Sequence, residues 1–120
     1  MHTVVETPSF IADIRRSGLT PRELEVIVDV IARNPQAGDI IKGTGGARKV
    51  RVPGRGKGKS GGFRVITYFG GGDIPIFLLN IFAKSERVDL SQAERNELRK
   101  ILRALGDTYR RGVKSRVQSR

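Results

Sequence analysis

The stretch FRVITYFGGGDIPIFLLNIF, residues 63–82, decides the fold. Its first seven residues alternate, with Phe63, Val65, Thr67 and Phe69 on one side of a strand and Arg64, Ile66 and Tyr68 on the other. Gly70, Gly71, Gly72 and Asp73 supply a hairpin turn. Ile74 to Phe82 is then almost continuously apolar and is expected to be the most buried, central strand. Pro75 falls at its start, where a missing N–H is tolerable. Such a hairpin brings Arg64, at one strand end, close to Lys84, just past the other.

Upstream, Ala47–Val52 alternates in the same way, with Lys49 and Arg51 on one face and Val50 and Val52 on the other. Residues 3–6 form a candidate short strand before a turn at Thr7 and Pro8. Ser9–Arg16 reads as a helix with Phe10, Ile11 and Ile14 on one face, capped by Ser9 or Thr7 and ended by Gly18. Thr20, Pro21 and Glu23 then spell the N-cap, first residue and capping box of a second helix. Leu24, Ile27, Val28 and Ile31 form its core stripe, and Asn34–Pro35 stops it. The short loop between these helices makes them an antiparallel pair. A last helix opens at Ser91, with Glu94 as capping partner and Leu98, Ile101, Leu102 and Leu105 facing the core. Gly106 ends it, or residues 107–111 extend it. The expected architecture is an α+β domain over residues 1–112, with two N-terminal helices packed on a small antiparallel β-sheet and a C-terminal helix. Residues 113–120 are expected to be a basic, flexible tail.

A chain of 120 residues, 38% hydrophobic and 29% charged, allows one globular domain with a modest core. There is no cysteine, hence no disulfide framework and no thiolate zinc site. The one histidine, His2, sits at the terminus, and neither metal nor cofactor is expected. The N-terminus lacks a basic segment followed by an apolar one, and no apolar run reaches the roughly 18 residues of a membrane span. The expected location is the cytoplasm, with no membrane partner. A formal charge of +11 points to a polyanion; its bland reading is a basic surface that only holds the chain in solution.

That charge is concentrated. Residues 42–64, KGTGGARKVRVPGRGKGKSGGFR, alternate cations with glycines and contain no Asp or Glu. Glycines let a backbone approach a ligand closely, and cations attract phosphate, so the stretch suits a nucleic acid backbone. Gly56, Gly58 and Gly61 spell the dinucleotide pattern, but a strand follows where that motif needs a helix. Gly58-Lys59-Ser60 imitates the end of a phosphate loop whose first glycine would fall on Pro53. The segment therefore reads as a basic loop between two strands, its plainer reading being a solvated loop.

Three runs then coincide: Gly43–Val52 (GTGGARKVRV), Gly56–Arg64 (GKGKSGGFR) and Ile81–Glu86 (IFAKSE). In combination they resemble the RelE/HigB toxins of bacterial type II toxin–antitoxin systems, closest to the HigB-like branch, over most of the chain up to about Gly112. The resemblance implies a small α+β protein that cleaves mRNA in the ribosomal decoding site and is blocked by an antitoxin encoded beside it. By the same resemblance, Lys49 and Arg51 match the family's basic pair on one strand face, Arg64 the basic residue opening the next strand, and Lys84 the basic motif closing the strand after. Ser85 stands where the archetype has arginine, and Leu90 and Ser91 stand near its tyrosine. Both departures fit the HigB-like branch better and leave the general base unassigned.

The implied reaction is attack of a ribose 2′-OH on the adjacent phosphate without metal, leaving a 2′,3′-cyclic phosphate. It needs a proton acceptor, stabilisation of the phosphorane and a proton donor. Arginine is permanently charged, which casts Arg51 and Arg64 as phosphate clamps. A lysine ringed by cations gives up its proton more readily, which leaves Lys49 or Lys84 for proton exchange. Glu86 is either a base or, more simply, an ion-pair partner. Arg48, Arg55, Lys57 and Lys59 are expected to bind RNA phosphates. Phe82 and Tyr68 are stacking candidates, core packing being the competing role of Phe82. The expected partners are ribosome, mRNA and a helix-turn-helix, HigA-like antitoxin, the chain being a monomer or part of a toxin–antitoxin hetero-oligomer. A ParE-type gyrase inhibitor and a non-enzymatic RNA-binding protein are the open alternatives.

Overall fold

The computed structural model describes residues 2–53, 62–86 and 89–118, with side chains described as far as residue 108. The elements run β1 (Val4–Glu6), α1 (Pro8–Ser17), α2 (Pro21–Arg33), β2 (Asp39–Ile40), β3 (Arg48–Val52), β4 (Phe63–Phe69), β5 (Ile76–Ala83) and α3 (Gln92–Gln118). The strands form one sheet in the order β1-β5-β4-β3-β2. The α+β expectation holds, with one change. β1 runs parallel to β5, so the sheet is mixed rather than wholly antiparallel.

Local chemistry explains the helix starts. Thr7 Oγ1 accepts the Phe10 N–H and also donates to the Leu78 carbonyl at 2.9 Å, tying the cap of α1 to β5. Thr20 and Glu23 complete the capping box of α2, and Ser91 and Glu94 do the same for α3. Caps of this kind contribute about 1 kcal/mol each. Gly18, at φ 70, ends α1 in the left-handed region that glycine enters without penalty.

Two apolar layers sandwich the sheet. On one face Phe10 of α1 and Ile27 and Ile31 of α2 pack against Val50, Val52, Val65, Ile76, Leu78 and Ile81. On the other, Leu98 and Leu102 of α3 pack with Leu90 against Ile66, Phe77, Leu79 and Phe82. The alternation read in β3 and β4 thus assigns their faces correctly. Ile11 and Ile101 do not face the core as expected: they are 38% and 40% exposed. The buried line of α1 is instead Phe10, Asp13 and Ile14, a polar residue sitting in the apolar stripe.

Asp13 has a structural reason to be there. Between Ile66 and Thr67 the β4–β5 register shifts, Ile66 pairing with Asn80 but Thr67 with Leu78, so β5 carries an extra residue. The Ile81 N–H donates to Asp13 Oδ2 at 3.0 Å, and Asn80 Nδ2 donates to the same oxygen at 3.1 Å. Helix α1 thereby satisfies the polar groups that the bulge turns towards it.

Two further differences concern the ends of elements. The glycines at 43–46 belong to a built turn: Thr44 is fully buried, its hydroxyl donating to Ile41 O (2.7 Å) and accepting the Ala47 N–H (3.0 Å). Gly46 holds φ 119, a backbone conformation strained for any L side chain, whereas an added Cβ would meet the Tyr68 ring at 3.4 Å, close to ordinary contact; the turn's backbone rather than ligand approach explains it. Helix α3 passes through Gly106 and continues to Gln118, so residues 113–118 extend the helix where a flexible tail was expected. Among the described residues, no helix is long and apolar enough to cross a membrane.

Candidate nucleic-acid interface

Strand register builds the site. β3 and β4 set Arg51 directly opposite Arg64, and Lys49 opposite Ile66. β4 and β5 set Arg64 opposite Phe82. Alternation then puts Lys49, Arg51 and Arg64 on the sheet face that α3 covers, beside Ile66 and Phe82. The Lys84 N–H donates to Gly62 O at 3.0 Å, which continues the ladder one step and places exposed Lys84 beside the start of β4. Three of the four expected catalytic positions therefore share one face, and the fourth stands at its rim.

The pairing of Arg51 with Arg64 is costly without a ligand. Residues directly opposite in an antiparallel pair have Cα atoms about 5 Å apart, and like charges there destabilise the sheet. No carboxylate among the described residues pairs with either guanidinium. Among the described residues, Arg64 Nη1 reaches the Phe63 carbonyl alone, at 3.3 Å. Local rules broken in this way are most common where a protein binds something, and an anion between the two arginines would remove the repulsion.

Lys49 has a different environment. Its Nζ lies 3.5 Å from Asp89 Oδ2, and Arg95 Nη2 lies 3.1 Å from the same oxygen. The Leu90 N–H donates to Asp89 Oδ1 at 2.8 Å. Burial pushes the Asp89 carboxyl up, but the Leu90 N–H, Lys49 and Arg95 together outweigh it and hold the group below its ordinary value. The premise of a lysine surrounded only by cations fails for Lys49. Asp89 and Arg95 went unread in the sequence because their partner lies on β3; the available signal was an acid two residues before the Ser91 cap.

A pH dependence follows for Asp89. A carboxylate with a depressed folded-state pKa contributes stability that is full above its ordinary value and lost as pH falls through the folded one. The wild type should therefore lose more thermal stability than Asp89→Asn between about pH 5 and about pH 3. The difference should be small, because Asp89 is 40% exposed. Coincident pH profiles would remove Asp89 from the cluster.

The remaining expected contacts fare unequally. Arg48 lies on the opposite face, with Val50 and Val52, and its Nη1 donates to Gly38 O at 3.0 Å, so it does not join the cluster. Phe82 is 4% exposed and packed in the α3 layer, which favours the competing core role over base stacking. Half-buried Tyr68 stacks on Phe77, their centroids 6.5 Å apart. Glu86 caps the turn after β5, accepting the Ala83 N–H at 3.0 Å, and pairs with no cation among the described residues. Arg55, Lys57 and Lys59 lie outside the described residues, as does the glycine pattern at 56–61.

A mixed sheet clad by helices on both faces, with Lys49, Arg51 and Arg64 gathered on the face that α3 covers, defines a small basic α+β domain with a cation cluster on one sheet face. The family model of the RelE toxin of the RelE/RelB toxin–antitoxin system matches residues 4–119. The chain belongs to that family: it is a toxin that pairs with an antitoxin. The match runs past Gly112, where the resemblance was expected to stop.

Proposed function

We propose that this toxin is an endoribonuclease of the HigB-like branch that cuts mRNA on the ribosome, by 2′-OH attack on the adjacent phosphate. The observation that carries the reading is Arg51 facing Arg64 in register with Lys49 on the same face. Two permanent charges on adjacent strands suit the dianionic phosphorane better than a singly charged diester, so they stabilise the transition state more than the ground state. Lys49, positioned by Asp89, holds a neighbouring phosphate. Lys84, exposed at the rim, is left as the lysine for proton exchange. Lys57 and Lys59 add phosphate contacts from the β3–β4 connection.

Primer extension on mRNA from cells expressing the toxin tests this reading. New 5′ ends within translated messages are expected soon after induction, and their 3′ counterparts should carry a 2′,3′-cyclic phosphate. DNA double-strand breaks without new mRNA ends would instead assign the chain to gyrase inhibition. Growth arrest with intact mRNA and intact DNA would leave a ribosome-binding protein with no cleavage.

A further inference from the structure

The outward side of α3 carries cations that the candidate site does not use. Leu98 and Leu102 turn inward onto the sheet, while Arg99, Lys100 and Arg103 beside them are exposed. With Ala104 and Asp107 these three wall a shallow recess of about 370 Å³. No carboxylate among the described residues pairs with any of the three. The patch is continuous with the cation cluster. Arg95, Arg99 and Arg103 follow at intervals of four along α3, and Arg95 holds the Asp89 that meets Lys49. Arg99 also lies against the turn at 43–46, where a Cβ on Gly45 would stand 3.8 Å from Arg99 Cγ. Exposed Lys42 precedes that turn.

The chemistry of the patch selects its occupant. A stable protein interface needs an apolar or aromatic centre, and Ala104 is the one apolar residue among those lining the recess. Single-stranded nucleic acid is held by aromatic faces on which bases stack, and no aromatic residue lines it either. A duplex backbone asks only for cations at regular spacing. Arg99 and Arg103 are about 6 Å apart along the helix axis, close to the separation of consecutive phosphates on one strand. Double-stranded RNA is recognised by its shape and backbone, largely without reading bases. We infer that the outward face of α3 seats on the phosphate backbone of a double-stranded RNA segment, while the strand to be cut lies at the cation cluster. This rests on the ribosome reading for the source of the duplex, ribosomal RNA, and not on cleavage.

The test measures binding of the full chain to a short RNA duplex of arbitrary sequence and to purified ribosomes. R99Q/K100Q/R103Q replaces exposed side chains by another good helix former and should match wild type in circular dichroism and melting temperature. Its affinity for the duplex should fall about tenfold at physiological salt, and the slope of log affinity against log salt should flatten by about 2 to 3. Cleavage of ribosome-bound mRNA should need correspondingly more toxin, with the single-turnover rate at saturation unchanged. R99K/R103K keeps both charges and should bind nearly as wild type does; a loss equal to that of the glutamine variant overturns a contact made through charge to the backbone. Wild-type duplex affinity and salt slope in the glutamine variant overturn the proposal. So does a loss confined to a single strand of the same sequence, or one confined to the antitoxin, which would give the patch to a protein. Duplex binding is read without cleavage. A wild type that binds the duplex through α3 yet yields no new mRNA ends would therefore refute the nuclease reading and leave this seat standing.

Discussion

Replacing Arg64 by alanine should lower single-turnover cleavage of ribosome-bound mRNA by about 100- to 1,000-fold, the loss seen when one donor to a developing oxyanion is removed. The side chain sits on β4, the central strand of the sheet, opposite Arg51 on one side and Phe82 on the other. Its backbone position is fixed by two ladders, so the loss is of charge and not of fold. Stability gives an independent reading. Removing one of two like charges that face each other should leave the melting temperature unchanged or raise it slightly, a gain of about 0.2–1 kcal/mol. Arg64→Lys should keep charge but lose the planar fork, and so recover only part of the rate. Full-rate cleavage by the alanine variant would end the assignment of this cluster to catalysis. A variant that melts earlier than wild type would show that Arg64 is structural.

How far the sequence reached depended on how local each cause is. Thr20, Pro21 and Glu23 announce α2 because a cap is decided within four residues. The alternation of Lys49, Arg51 and Arg64 against Val50, Val52 and Val65 put the cations on one face, since a strand's period is set by its own backbone. The same parity also separates Arg48 from Lys49 and Arg51, although its charge had grouped it with them. Long-range pairings were not legible. β1 finds β5 across most of the chain, and β2 is two residues long. Asp89 meets Lys49 only once α3 has folded over β3. Ile11 and Ile101 look like core residues by type, and only the packed neighbours decide otherwise.

Asp13→Ala should be the most damaging single change to the fold, lowering stability by roughly 3 kcal/mol and the melting temperature by about 10 °C. Its carboxylate is the acceptor for the Ile81 N–H and the Asn80 amide, and it also pairs with Arg16. Alanine leaves the two donors at the bulge facing an apolar layer with no partner. Asp13→Asn keeps one acceptor oxygen for the Ile81 N–H and should cost less; equal losses for the two would exclude the hydrogen bond as the cause. The consequence reaches the site. Ile76 and Leu78 face α1 and α2, and strict alternation would carry Asn80 and Phe82 to that side as well. The extra residue at the bulge brings Ile81 there as well, beside the Asn80 amide that reaches Asp13, and returns Phe82 to the α3 side, beside Arg64. Asp13 therefore fixes, from the opposite face, the register that brings the end of β5 and Lys84 to the arginines. Cleavage by Asp13→Ala, measured well below its melting temperature, should fall by more than the unfolded fraction explains; a rate that tracks the folded fraction alone would confine Asp13 to stability.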